Sequence, residues 1–347
     1  MSAPPTVGVV VNPVAGKDIR RLVTAASHTS DVAKVGIVRR VVEAALDAGV
    51  ARVVVAADTN GIGARAIDGI AGASLLDVGA RGDRTDSVAA ARAFRELGAG
   101  VVVALGGDGT CRDVAIGWPQ LPLVAVSTGT NNVYPRPVDG TSAGWAAGVV
   151  ASGAVDLDAI AVDTKRVAVQ ITDSQNSEPV DDTALVELAL IDADAVGARA
   201  VLDASRIRTI VAAVARPATT GLSSVAGRVH PLDDEADGGV VVDLDPEPAS
   251  DGRRVLVPLM PGRSVQLGVA DVRRLDGGTP TTLRGPGVLA VDGERDRVLG
   301  PDATVLAWIE RTGPRRIDVE RTLAIAAEHR LFDATRDAAT DSVERDA

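Results

Sequence analysis

The sequence predicts an α/β protein: a parallel-sheet domain covered by helices, then a β-rich domain. Three observations carry that expectation. Up to Gly153 the chain alternates short, continuously apolar runs with helical patterns, as strands buried on both faces require. Beyond Gly153 the apolar runs are separated by turn clusters, as in antiparallel sheets. The length, 347 residues, suits about two domains.

In the first part, residues 7–11 (VGVVV), 52–57 (RVVVAA), 74–78, 101–105 (VVVAL) and 122–127 read as strands. Residues 31–48, stopped by Gly49, and residues 63–70 read as helices, as do 86–97 and 142–150. Thr85 is the expected N-cap of the third helix and Gly98 its stop. Ligands of such parallel sheets sit at the C-terminal ends of the strands. In the second part, strands are expected at 167–172, 185–191, 240–244, 254–259, 264–272 and 288–291, interrupted by a helical stretch near 205–215. A last helical pattern, 319–332, follows Pro314. The expected division is residues 1–153, 154–312 and 313–347, the last a helix and polar tail packing back on the first domain.

Composition narrows the function. A formal charge of −11 leaves no basic stripe for nucleic acid, so any phosphate site must be built locally. Lys17, Lys34 and Lys165 are the three lysines among 36 basic residues, a bias that a high-salt cytoplasm or a GC-rich genome would each produce. A single cysteine, Cys111, forms no intrachain disulfide and suits a reducing, cytoplasmic location. The opening residues, with Pro4 and Pro5, do not resemble a secretory signal, and no apolar run reaches the ~18 residues of a membrane span.

The strongest local signal is Gly106-Gly107-Asp108-Gly109-Thr110, between an apolar strand and a helical segment. Its glycines allow close backbone approach and positive φ, and exposed N–H groups at a helix N-terminus hold phosphate. An aspartate there would repel phosphate unless it holds Mg²⁺ or takes a proton from an attacking hydroxyl; the plainer alternative is a turn with Asp108 as its cap. A second polar loop, Ser127-Thr128-Gly129-Thr130-Asn131-Asn132, follows the next strand and is either an ordinary turn or a donor surface for phosphate or sugar. Two such loops after consecutive strands point to a shared site.

Together these loops resemble the superfamily of ATP-NAD kinases, diacylglycerol kinases and sphingosine kinases. The opening Asn12-Pro13-Val14-Ala15-Gly16-Lys17-Asp18-Ile19-Arg20-Arg21, the segments Asp58-Thr59-Asn60-Gly61-Ile62-Gly63 and Gly221-Leu222-Ser223-Ser224-Val225-Ala226-Gly227, and Asp292-Gly293-Glu294 are similar to the AcoX-like branch. The resemblance covers about residues 7–310. It implies a nucleotide in a cleft between an α/β and a β-rich domain, with ATP as donor and Mg²⁺ bridging its phosphates. It implies Asp108 as the base, with Gly106, Gly107, Gly109, Thr110, Thr128, Gly129 and Thr130 at the phosphates. Asn12 and Lys17, just after the first strand, are candidates for the same phosphates, or else an ordinary Asn-Pro turn and a solvated lysine at a helix start. Asn131, Asn132, Asp292 and Glu294 would face the acceptor, NAD or NADH in the NAD kinases. The NAD-recognising Asn-Glu pair and PTGSTAY-like stretch of those enzymes have no close counterpart at residues 191–197 and 220–227. Small-molecule substrates and, by analogy, a homo-oligomer are expected, without nucleic acid or membrane partners. No metal ligands are assigned.

Rival readings rest on weaker signals. Gly61-Ile62-Gly63-Ala64-Arg65-Ala66 fits G-x-G-x-x-A, with Asp77 as a ribose acid, which would suit a Rossmann-type dehydrogenase. A nucleotide-binding regulator without catalysis is the other. Cys111 reads as a small packing residue, His28, His230 and His329 lack metal-ligand spacing, and residues 233–237 read as a solvated acidic loop.

Overall fold

The computed structural model describes residues 4–15, 29–129, 132–174, 178–197, 201 and 203–333. Five parallel strands, β1 (Thr6–Val11), β2 (Arg52–Ala56), β3 (Ala73–Leu76), β4 (Val101–Gly106) and β5 (Pro122–Ser127), run in the order β3-β2-β1-β4-β5. The order reverses between β1 and β4, and the crevice beyond that point is where a doubly wound sheet takes its ligand. Alternation along β1 supplies both faces. Val7, Val9 and Val11 pack under α1 (Asp31–Asp47) and α5 (Gly140–Ala151), while Val10 faces the layer of α3 (Arg84–Glu96) and α4 (Asp108–Gly117). Gly8 is small because Phe94 lies over it: a Cβ there would stand 2.7 Å from the ring. A short helix, α2 (Ile62–Ile67), follows β2.

Helix α1 and helix α5 meet along Gly140, Gly144 and Gly148, spaced one turn apart. A Cβ on Gly140 would stand 2.7 Å from Ile37 O, one on Gly148 2.9 Å from Ala45 O, and one on Gly144 would collide with Val41 O. These glycines therefore set the distance between the two helices. Helix α3 starts two residues earlier than Thr85 implies, because Asp83 caps it by accepting from Thr85 N (2.8 Å).

After α6 (Leu157–Ile160) the chain adds β6 (Ala161–Asp163) and then builds two antiparallel sheets. One takes the order β12-β13-β11-β10-β9-β15-β16 and the other β14-β17-β7-β8. Their members are β7 (Arg166–Thr172), β8 (Val180–Ala184), β9 (Glu187–Ile191), β10 (Ile207–Ala212), β11 (Gly239–Asp245), β12 (Arg254–Met260), β13 (Arg263–Leu275), β14 (Thr281–Arg284), β15 (Gly287–Val291), β16 (Glu294–Leu299) and β17 (Thr304–Glu310). The sheets pack face to face around Val169, Leu190, Val211, Leu289 and Val305, and α7 (Leu222–Val229) covers the outer face of the larger one.

The helix expected near 205–215 is instead β10. Strand β10 lies between β9 and β11, and its second half, Ile210 to Ala212, is buried on both faces, so the apolar residues there run without alternation and mimic a buried helix. Ile207, Thr209, Ile210 and Val211 are β-branched, which favours the strand. The chain then returns to the first sheet. Strand β18 (Arg315–Ile317) pairs parallel with β5 and antiparallel with β6, and Ile317 and Ala326 of α8 (Val319–Glu328) join the first core. No helix among the described residues is long and apolar enough to cross a membrane.

Because Gly144 sits against the α1 backbone, Gly144→Leu is expected to destabilise the protein by at least the roughly 1–3 kcal/mol typical of overpacking. Urea unfolding measures this; an unchanged midpoint would show that α5 moves away from α1 without cost.

Candidate functional site

A cavity of about 460 Å³ opens over the C-terminal ends of β1, β2, β4 and β5 and is closed from the other side by the β sandwich. The first domain contributes Asn12, Asp58, Arg84, Gly107, Asp108, Gly109, Thr110, Asp113, Thr128, Gly129 and Asn132 to its wall. The second contributes Glu187, residues 220–223, Asp292 and Glu294. Most of the residues singled out in the sequence thus meet on one cleft. Gly106 stands behind it, and Lys17, Thr130 and Asn131 lie outside the described residues.

The motif glycines work by proximity rather than by unusual torsions. Gly106, Gly107 and Gly109 all have negative φ or lie outside the left-handed region; Gly107 sits at φ −109°, ψ −169°. A Cβ on Gly106 would strike the Thr110 side chain, and one on Gly107 would stand 2.9 Å from Asn132 Oδ1. Gly109 has open space where its Cβ would be. Among the described residues no side chain caps α4, and its first turn, Asp108 to Thr110, lines the cavity, where helix-start N–H groups are donors.

Three polar side chains, Asp108, Asn132 and Asn12, brace the loops. Asp108 Oδ1 accepts from Val133 N (3.0 Å) and Tyr134 N (2.7 Å), tying the β4 loop to the β5 loop. Asn132 Nδ2 donates to Ser127 Oγ (2.8 Å), bracing the second loop from within. Asn12 Nδ2 donates to Thr110 Oγ1 (2.8 Å), while Asn12 Oδ1 accepts from Val14 N and Ala15 N at 2.9 and 3.1 Å. The Thr128 hydroxyl is buried in the cavity wall with no hydrogen-bond partner among the described residues.

Lys34 is a positioning group that the sequence did not single out. Lys34 on α1 is fully buried, and its ammonium donates to Asn12 O, Pro13 O and Ala15 O at 3.0, 2.8 and 2.8 Å, holding the first loop. A lysine within the apolar stripe of Val38, Val41 and Ala45 was its signal. Asp58 accepts from Ile62 N (3.1 Å) and Gly63 N (2.8 Å), so a carboxylate already occupies the helix start where a Rossmann pyrophosphate would bind. Asp77 is exposed and accepts from Gly79 N in its own turn. The dehydrogenase reading therefore has no site.

Asp292 and Gly293 form the two-residue turn between β15 and β16, both at positive φ (48° and 77°), which matches the twist of a tight hairpin. The Asp292 carboxylate accepts from Leu185 N, Val186 N and Glu187 N at 3.0, 2.8 and 3.3 Å, so it braces the floor of the cavity. Burial pushes its carboxyl above the ordinary range, against the pull of Arg112 and those amides. Asp113, one turn beyond Thr110 on α4, is pushed up to about 7, chiefly by burial, with Arg84 and Arg112 opposing and Glu294 adding to the shift. Arg84 Nε donates to Asp113 Oδ1 (3.2 Å) and its Nη1 to Asp296 Oδ1 (3.2 Å), while Arg112 reaches Asp182 (2.6 Å) and Asp296 (3.4 Å). This chain of charges links the two domains beside the cavity. Buried Cys111 has its thiol pushed well up by burial, as suits a packing residue.

The described wall carries eight carboxylates (Asp58, Asp83, Asp86, Asp108, Asp113, Glu187, Asp292, Glu294) and one cation, Arg84. No group of three metal-ligating side chains converges among the described residues.

The fold and this cleft define a kinase-like nucleotide-binding architecture: the ATP-NAD kinase N-terminal domain family matches residues 7–149. The acetoin catabolism protein X C-terminal domain family matches residues 165–312. Acetoin catabolism protein X of Cupriavidus necator is 32% identical over 339 residues, covering 94% of each chain. The chain belongs to the acetoin catabolism protein X family, a branch of the ATP-NAD kinase superfamily. Among solved structures, yeast NADH kinase complexed with NADH is similar at 14% identity and a TM-score of 0.49, over 96% of this chain and 89% of that one.

Two outcomes follow from the carboxylates. Asp292→Ala should cost roughly 3 kcal/mol of stability by stripping three buried amides of their acceptor; a wild-type urea midpoint would show that Asp292 does not brace the floor. Asp113 binds its proton more tightly folded than unfolded, so its contribution to stability falls as pH rises from about 4 to about 7. Asp113→Asn should flatten that part of the pH profile of unfolding; an unchanged slope would assign the dependence elsewhere.

Proposed function

We propose that the protein is an ATP-dependent kinase that transfers phosphate to a hydroxyl of a small metabolite, with NAD or NADH the first acceptor to test. One observation carries this: the β4 and β5 loops and the uncapped N-terminus of α4 meet on a single cavity, with Asp108 joining them. Backbone donors of α4, the Thr110 and Thr128 hydroxyls and the amides of Gly129 and Asn132 are suited to triphosphate oxygens. Lys17, two residues after Ala15 in the sequence, would add positive charge to the phosphates. Mg²⁺, when carried in on the phosphates, neutralises charge that this acidic wall cannot. Asp108, oriented by Val133 N and Tyr134 N, takes the proton of the attacking hydroxyl, while Glu294 and Asn132 face the acceptor.

A second reading, nucleotide binding for regulation without catalysis, draws on the same Asp108 contacts: two backbone amides already engage the carboxylate that would act as base. Another hydroxylated acceptor, or polyphosphate as donor, fits the first reading equally.

Purified protein with Mg²⁺ and ATP, offered NAD and NADH in turn, should form NADP or NADPH. Asp108→Asn should lower turnover about 10²–10⁴-fold while the fold persists. Full activity in that variant removes Asp108 from the chemistry. ATP binding without product rejects NAD and NADH as acceptors and favours another metabolite or the regulatory reading.

A further inference from the structure

A second charged cluster lies outside the cavity wall. Asp234, expected in a solvated acidic loop, is instead 7% exposed. Three guanidinium groups converge on its Oδ2: Arg216 at 2.6 Å, Arg316 at 2.8 Å and Arg136 at 3.6 Å. They come from three separate stretches of chain. Arg136 follows the β5 loop, Arg216 lies between β10 and α7, and Arg316 is in β18, over the Tyr134 ring at 5.3 Å. Two further cations hold the loop around Asp234, and one of them, Arg311, also pairs with Asp237. Lys165 donates to Asp233 O, Ala236 O and Gly238 O, and Arg311 to Asp234 O, Glu235 O and Ala236 O. Asp318, the cap of α8, also acts on Arg136, but its side chain accepts from Arg321 N.

Three guanidinium groups against the Asp234 carboxylate leave a formal excess of two positive charges. Donors are also in excess: Arg216 Nε and Arg316 Nη1 are buried without a hydrogen-bond partner among the described residues. A buried charged donor left without an acceptor is costly, and such groups commonly mark an ion or water. Arg316 is 9% exposed, whereas the Arg136 side chain, with the longest of the three contacts, is 42% exposed and meets solvent. Repulsion from Arg216 and Arg316 adds to desolvation in lowering Arg136 to about 10.

We propose that Arg136, Arg216 and Arg316 form a binding site for a small oxyanion, a dianion of phosphate or sulfate size, separate from the nucleotide cavity. A dianion matches the excess of two charges, and its oxygens suit the forked donors of three guanidinium groups. None of these residues lines the cavity, yet Arg136 N donates to Ala125 O (3.0 Å) and Arg136 O accepts from Ser127 N (2.8 Å). The anion would therefore brace the stretch whose amides at Val133 and Tyr134 hold Asp108.

Equilibrium dialysis of the full chain against radiolabelled inorganic phosphate, with sulfate as competitor, tests this directly. The variants are Arg136→Gln and Gly109→Asp. The second places a carboxylate in open space at the start of α4 and repels phosphate from the cavity. Phosphate should bind wild type and Gly109→Asp alike, be displaced by sulfate, and bind Arg136→Gln about tenfold or more weakly. Should Arg136→Gln not fold, Arg136→Lys keeps the charge without the fork and should still weaken binding. Absence of binding to wild type at millimolar phosphate, full binding in the folded Arg136 variant, or loss of binding in Gly109→Asp would each overturn the proposal.

Discussion

The cavity depends on a carboxylate gripped by backbone amides. Asp108 leaves β4 at the start of α4 and accepts from Val133 N and Tyr134 N, which belong to the loop after β5. Parallel strands bring those two loops side by side, but nothing in a parallel ladder reaches beyond the strand ends to hold them. A buried or half-buried amide needs an acceptor, and a carboxylate meets that need strongly. The same solution recurs around the cleft. Asp58 holds the start of α2, Asp86 accepts from Arg81 N and Gly82 N, and Asp292 holds the turn between β8 and β9.

This repetition accounts for an acidic wall in a site suited to phosphate. Several of its carboxylates serve the backbone, so their lone pairs are directed into loops rather than outward. Their charge nevertheless remains near the cavity, with Arg84 as the single described cation in the wall. The Asp108 contacts bear on both functional readings. They orient the carboxylate, and they also occupy it.

The two domains are held by different chemistry at different points. Leu185, Val186 and Val214 of the second join the apolar layer that contains Cys111 and Val114 of the first. The chain of Arg84, Asp296, Arg112 and Asp182 runs beside the cavity, and Arg316 meets Asp234 on the other side of Tyr134. The short return of β18 to the first sheet adds a backbone link.

The amino-acid pattern alone was enough to specify the parallel sheet, the two strand-end loops and the β-rich second half, because these are written locally in apolar runs and glycine-rich turns. It also pointed to a single cleft, since loops after adjacent parallel strands share one edge. It misread β10, because a strand buried on both faces loses the alternation that separates strand from helix. It missed Asp113 and the partners of Asp234, and read Asp292-Gly293 as a turn without the amides that Asp292 holds. Only the tertiary structure decided those roles. Residues 185–187 and Asp292 are distant in the chain, as are Arg136, Arg216, Asp234 and Arg316, and a charge acquires its role from the partner that folding places beside it. Local pattern records which surfaces must be buried; it does not record which distant donor will meet which acceptor once they are.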